Sequence, residues 1–174
     1  MAALFSISTL FYLAAFVAIY ASLRVVMQSN TVHALLYLVV SLLAVAVCFY
    51  LLGAPFAAGL EVIVYAGAIL VLFVFAIMIF GLTQDETRLA PMPDKARFWL
   101  MPSALALILF IEVVYVLTTS HTGLNATAET ISSKEVGALL YGPYLLAVEL
   151  ASFLLLAGLV AGYHFAKSFA GGSR

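Results

Sequence analysis

The stretch Leu60–Phe80, LEVIVYAGAILVLFVFAIMIF, decides the fold. It matches the roughly 20 apolar residues that a helix needs to cross about 30 Å of hydrocarbon. It also carries Glu61, then Tyr65 one turn on, then Gly67. An ionisable side chain inside such a segment costs about 3 kcal/mol or more, so it turns toward a protein interior or a watery path rather than toward lipid. The segment therefore does more than anchor the chain.

Composition agrees with a membrane location. Hydrophobic residues make up 66% of the chain and charged ones only 9%, far from the balance of a soluble domain. A net charge of -1 leaves no basic face for nucleic acid and no charged tail. The single cysteine, Cys48, lies in an apolar run, which rules out a disulfide within one chain and a cysteine-built metal cluster. It reads as a small buried hydrophobe.

Working outward from Leu60–Phe80, five runs are long and apolar enough to span: about 4–23, 31–52, 56–82, 98–119 and 143–165. The expected fold is an all-α integral membrane protein with five transmembrane helices forming a single membrane domain over 1–174. The first run lacks a basic leader and is long for a signal peptide, so it is taken as a retained helix. Arg24, Arg88, Lys95, Arg97, Lys167 and Arg174 fall on one side of these helices and only Lys134 on the other. The excess of cations marks the cytoplasmic side, which places the N-terminus outside and the C-terminus in the cytoplasm. The short link Gly53–Pro55 makes helices two and three an antiparallel pair. Ser132 followed by Glu135 has the spacing of a capping box and predicts a short surface helix over about 133–141. Pro143 is expected in the first turn of the fifth spanning helix.

Three carboxyls fall within spans: Glu61, Glu112 and Glu149. Each sits on the order of 10 Å below the outer boundary at 1.5 Å per residue. If they met in space they would form a proton relay; if not, they are shallow groups hydrogen-bonded to neighbouring helices. Glu112 has Tyr115, and Glu149 has Ser152, three residues on as local partners. Angles sharpen the reading of helix three. At about 100° per residue from Glu61, Tyr65 lies near 40° and Leu72 near 20°, while Phe73 is about 120° away. One π-bulge between Tyr65 and Phe73 would bring Phe73 to about 20° and displace Leu72 from that face. Ala66, Gly67 and Ala68 give the close packing and backbone freedom for such a change; their simpler reading is tight helix packing alone.

His33 and His164 both fall near the cytoplasmic boundary, where a bis-imidazole haem is conceivable, though interfacial roles for them and for His121 are the plainer reading. Trp99 stands where an interfacial anchor belongs. No glycine spacing suits a phosphate loop, and no Ser, His and Asp set suggests hydrolysis.

Three segments carry a family resemblance: Asn30–Tyr37 (NTVHALLY), Glu61–Ala68 (EVIVYAGA) and Gly142–Ser152 (GPYLLAVELAS). In this order on a five-helix chain they resemble the J-subunit family of bacterial NADH:quinone oxidoreductase, respiratory complex I. The likeness is strongest over 24–81 and 142–164. It implies a subunit of a multi-subunit, proton-translocating complex in the bacterial cytoplasmic (inner) membrane. Its expected partners are the lipid bilayer and other membrane subunits near the quinone site, including the small one beside the antiporter-like subunits. The chain itself is expected to carry no cofactor; NADH, FMN, iron–sulfur clusters and quinone would belong to the whole complex, and no activity is expected of the isolated chain.

The resemblance also implies that helix three exists in α and π forms, with Phe73 as the aromatic that moves. The implied site is a proton path and gate comprising Glu61, Tyr65, Gly67, Leu72, Phe73 and Glu149. Glu112 departs from the family pattern. The competing reading is a membrane subunit of a cation/proton antiporter complex or of a membrane-bound hydrogenase, whose ion flux would persist without NADH.

Overall fold

The computed structural model describes residues 6–80, 95–120 and 130–171. These form helices α1 (Ile7–Met27), α2 (Thr31–Leu51), α3 (Pro55–Leu60), a π-helical segment (Glu61–Ile69), α4 (Leu70–Phe80), α5 (Lys95–Ser120), α6 (Ser133–Leu140) and α7 (Leu145–Gly171). The segments α3, π and α4 run on as one continuous third span. Five stretches are long and apolar enough to cross a membrane: Ile7–Met27, Thr31–Leu51, Pro55–Ile79, Trp99–Thr118 and Leu145–Phe165. The five expected spans are thus present, the first beginning and ending a few residues later than hydropathy placed it. The links around Arg88 and His121 lie outside the described residues, as does Arg174.

Helix ends follow local chemistry. Ser6 caps α1, its hydroxyl accepting from the Thr9 N–H at 3.3 Å. Asn30 caps α2, its Oδ1 accepting from the His33 N–H at 3.1 Å. Such caps satisfy N–H groups that the helix itself leaves open. At the far end of α2 the Gly53 N–H donates to Tyr50 O at 3.1 Å and the Ala54 N–H to Phe49 O at 3.0 Å. Gly53 has φ 83, the left-handed region that this closing pattern demands. Pro55 then starts α3, where a missing N–H costs nothing.

The chain divides into two compact units, Met1–Ile131 and Ser132–Arg174. In the first, α1 and α2 form an antiparallel pair against which α5 packs. Its core comprises Val17, Ala21, Tyr37, Val40, Ala44, Leu105 and Leu109. Ala14, Ala21 and Ala44 are wholly buried, and small residues of this kind let helix backbones approach closely. A polar link crosses the same interface: the Ser22 and Ser41 hydroxyls lie 2.7 Å apart, and Ser41 also donates to Ala18 O at 3.2 Å.

In the second unit the capping box forms as its spacing predicts. Ser132 Oγ accepts from the Glu135 N–H at 3.3 Å, and Glu135 Oε2 accepts from the Ser132 N–H at 2.9 Å. Pro143 is not in the first turn of the following helix. It occupies the turn ahead of α7, closed by Leu145 N–H donating to Gly142 O at 3.2 Å. Its fixed φ suits the second position of such a turn at least as well as a helix start.

Candidate functional site

The backbone of the third span changes its winding where Glu61 enters. Over the nine residues Glu61–Ile69 it is π-helical, and at the exit the Leu70 N–H donates to Tyr65 O, five residues back. Side-chain burial records the same change. On an unbroken α-helix Leu70 would lie about 180° from Glu61. Instead both are buried, Glu61 to 9% exposure and Leu70 to 5%. The half-buried Ala66 falls between them, so the inward stripe steps Ala58, Glu61, Ala66, Leu70, with one stride of five residues. The wide turns therefore hold one face inward through a stretch where α winding would rotate it away.

This π segment begins at Glu61, one turn before the Tyr65–Phe73 interval in which a bulge is expected from the sequence. Gly67 supplies a physical reason for its position. A Cβ built on Gly67 would lie 3.1 Å from the carbonyl oxygen of Val62, five residues back, which is too close for comfort. Glycine relieves that contact, so wide turns are easiest just around residue 67. Runs of this kind are rare in helices and are concentrated at functional sites.

Glu61 faces inward, whereas Tyr65, Leu72 and Phe73 are all exposed. None of those three shares the buried stripe with Glu61 and Leu70. Glu149 is the fifth residue of α7, in the second unit. Glu112, on α5, is 3% exposed and more deeply buried than Glu61. Neither of its carboxyl oxygens has a hydrogen-bond partner, so the local bond to Tyr115 expected from their spacing is not made. Sequence reasoning undervalued this residue. The signal lay in the spacing of Leu105, Leu109, Glu112 and Val116, a stripe at helical period that is buried throughout.

Two further features lie in the first unit. A cavity of about 570 Å³ opens between α2, α3 with the first π turn, and α5, lined by Val39, Leu43, Tyr50, Ala58, Val62 and Phe110 among other residues. Its wall is almost wholly apolar. Toward the other end of α2, the Arg24 guanidinium stands 5.8 Å from the Tyr20 ring centre and 5.7 Å from that of Tyr37. Tyr37 is fully buried and meets the His33 ring edge-on at 5.2 Å. Cation–π contacts of this kind are worth about 0.5–1 kcal/mol where water reaches them and more where it does not. Among the described residues no three His, Cys, Asp or Glu side chains gather as a metal site.

An all-helical chain with five membrane-length apolar helices and a carboxyl at a rewound backbone is an integral membrane protein with an ionisable group at an irregular point of one span. The chain belongs to the NADH-ubiquinone/plastoquinone oxidoreductase chain 6 family, whose model matches residues 21–165. Similar curated proteins carry the name NADH-quinone oxidoreductase subunit J. The one from Pseudomonas aeruginosa is 53% identical over 162 residues, 90% of this chain and 95% of that protein. The Escherichia coli K12 protein is 49% identical over 158 residues, 90% of this chain and 85% of its own length. One from Buchnera aphidicola subsp. Schizaphis graminum is 44% identical over 162 residues, covering 90% and 96% of the two chains. The resemblance drawn from the three sequence motifs is borne out.

Proposed function

We propose that this chain is a membrane-arm subunit of a proton-translocating NADH:quinone oxidoreductase in the bacterial cytoplasmic membrane, with its N-terminus outside and its C-terminus in the cytoplasm. Residues 1–174 work as one membrane domain beside the other membrane subunits near the quinone site. The chain carries no redox centre; NADH, FMN, iron–sulfur clusters and quinone are handled elsewhere in the complex. Its own contribution is a gate in the third span.

The observation that carries this reading is the π winding that begins at Glu61 in a chain of this family. A π-bulge accommodates one residue more than the α-helix around it, so conversion to α winding rotates everything beyond it by roughly one residue. Leu72 and Phe73 lie just beyond it and would exchange positions relative to Glu61. With an apolar side chain across the Glu61 face the line of water is broken; with the other winding it connects, and protons pass toward acidic residues of adjacent subunits. Gly67 keeps the two windings close in free energy, and they need to lie within a few kcal/mol for events at the quinone site to bias them.

The test has two stages. Native electrophoresis of the tagged chain from its own membranes, with staining for NADH oxidation, should show it in a very large NADH-oxidising band; a small band without that activity sinks the assignment. In membranes that pass, Glu61→Gln keeps the volume and removes the titration. It should strongly reduce NADH-driven, quinone-dependent proton uptake, and unchanged uptake would reduce Glu61 to a structural role.

A further inference from the structure

The deepest carboxyl among the described residues is not used by the gate. Glu112 sits on α5 between the buried Leu109 and Val116, 3% exposed, with both oxygens closed off from the surface and without a hydrogen-bond partner. Cys48 of α2 comes within electrostatic range of it. The α2 residues at this level, Ala44 and Val47, are buried and apolar. An ionised carboxylate there, without a donor, would cost several kcal/mol, and a buried acid in that position keeps its proton instead.

We propose that Glu112 is a second proton-carrying residue of this chain, a carboxyl closed into the α2–α5 seam opposite Cys48 that holds a proton at rest and exchanges it during turnover. The proposal rests on the membership in a proton-translocating complex proposed above, but not on the winding of the third span. The acid proton has no hydrogen-bond acceptor in the seam, so its partner is a water molecule that enters there, takes the proton from the carboxyl and later returns one. Buried waters occupy places of this kind, where polar atoms would otherwise stay unpaired.

The test uses the assembled complex in its native membranes and compares infrared difference spectra, NADH-reduced minus oxidised, for the unaltered complex, Glu112→Gln and Glu61→Gln. A band in the protonated-carboxyl region that shifts in deuterated water, is lost in Glu112→Gln and persists in Glu61→Gln is expected. Proton uptake should fall several-fold in Glu112→Gln and recover in Glu112→Asp, which keeps the acid. A spectrum in which Glu112→Gln loses no band, or a Gln variant that pumps at the unaltered rate, overturns the proposal. If the Gln variant does not assemble, Cys48→Ala decides: it leaves the carboxyl in place and should move its band, and an unmoved band counts against the proposal. Normal pumping by Glu61→Gln would count against the gate alone, so the two readings fail separately.

Discussion

Along α1 the buried residues run Leu10, Ala14, Val17 and Ala21, and along α2 they include Tyr37, Val40, Ser41, Ala44 and Val47. Along the third span, of similar length, only Ala58, Glu61 and Leu70 reach that depth, and Val71 to Phe75 are all exposed. The pair is capped at both starts by side chains, whereas the third span begins at Ala54 with no side-chain cap. Helices of comparable apolarity are thus held very differently. Dense contact with small residues at the seam fixes the α1–α2 pair in one packing, because a close-packed interior has few alternatives. The third span has little of its surface engaged by that scaffold, and it is there that the backbone leaves α geometry.

The sharpest way to break this contrast is to damage the scaffold. Tyr37 is the largest fully buried side chain among the described residues, and its ring meets both Arg24 and His33. Tyr37→Ala should cost about 3–5 kcal/mol, as aromatic truncations in packed interiors do. The expected result is loss of the chain from the membrane complex, read by immunoblot of the native band. Normal assembly would mean that the pair is not the rigid part.

Next in size is the joint between the two regions. Gly53 ends α2 with φ 83 and hands the chain to Pro55. A Cβ in the left-handed region costs about 1–2 kcal/mol. Gly53→Ala should therefore lower the thermal midpoint of the purified complex while leaving the winding of the third span alone. A midpoint equal to the unaltered protein's would show that the joint relaxes.

Gly67→Ala acts on the third span itself. The added methyl meets Val62 O at 3.1 Å in the π form, and alanine favours α winding over glycine by about 1 kcal/mol. Both effects push the same way. Proton uptake driven by NADH should fall about fivefold with assembly intact, if a 1 kcal/mol bias is expressed in turnover. Unchanged uptake would show that winding and function are not linked.

Much of this was legible beforehand, and the part that was not has a physical cause. Spans follow from hydropathy because lipid leaves the backbone no alternative to helix. The capping box at Ser132 and Glu135 and the stop at Gly53 to Pro55 are local chemistry, readable over a few residues. The angles from Glu61 raised the possibility of a bulge, but placing it required the close approach of Gly67 to Val62 O, which exists only once the wide turns are built. Glu112 was undervalued for a related reason. A carboxyl near Tyr115 invites a local hydrogen bond, and only the packed structure shows the side chain buried with that bond unmade.

The smallest effect separates shape from polarity within the scaffold. Ser41 is hydrogen-bonded across the α1–α2 seam to Ser22 at 2.7 Å and to Ala18 O at 3.2 Å. Strong coupling is the natural expectation in a medium without water. Yet hydrogen bonds between spanning helices average about 0.6 kcal/mol, because the separated helices find other partners in the membrane. Ser41→Ala removes the bonds while leaving a residue small enough for the same close approach of α1 and α2. Assembly and proton uptake should be unchanged, with at most a small fall in thermal midpoint. A loss approaching that of Tyr37→Ala would mean that the seam is held by its serines rather than by fit, and the contrast with the third span would then be one of polarity.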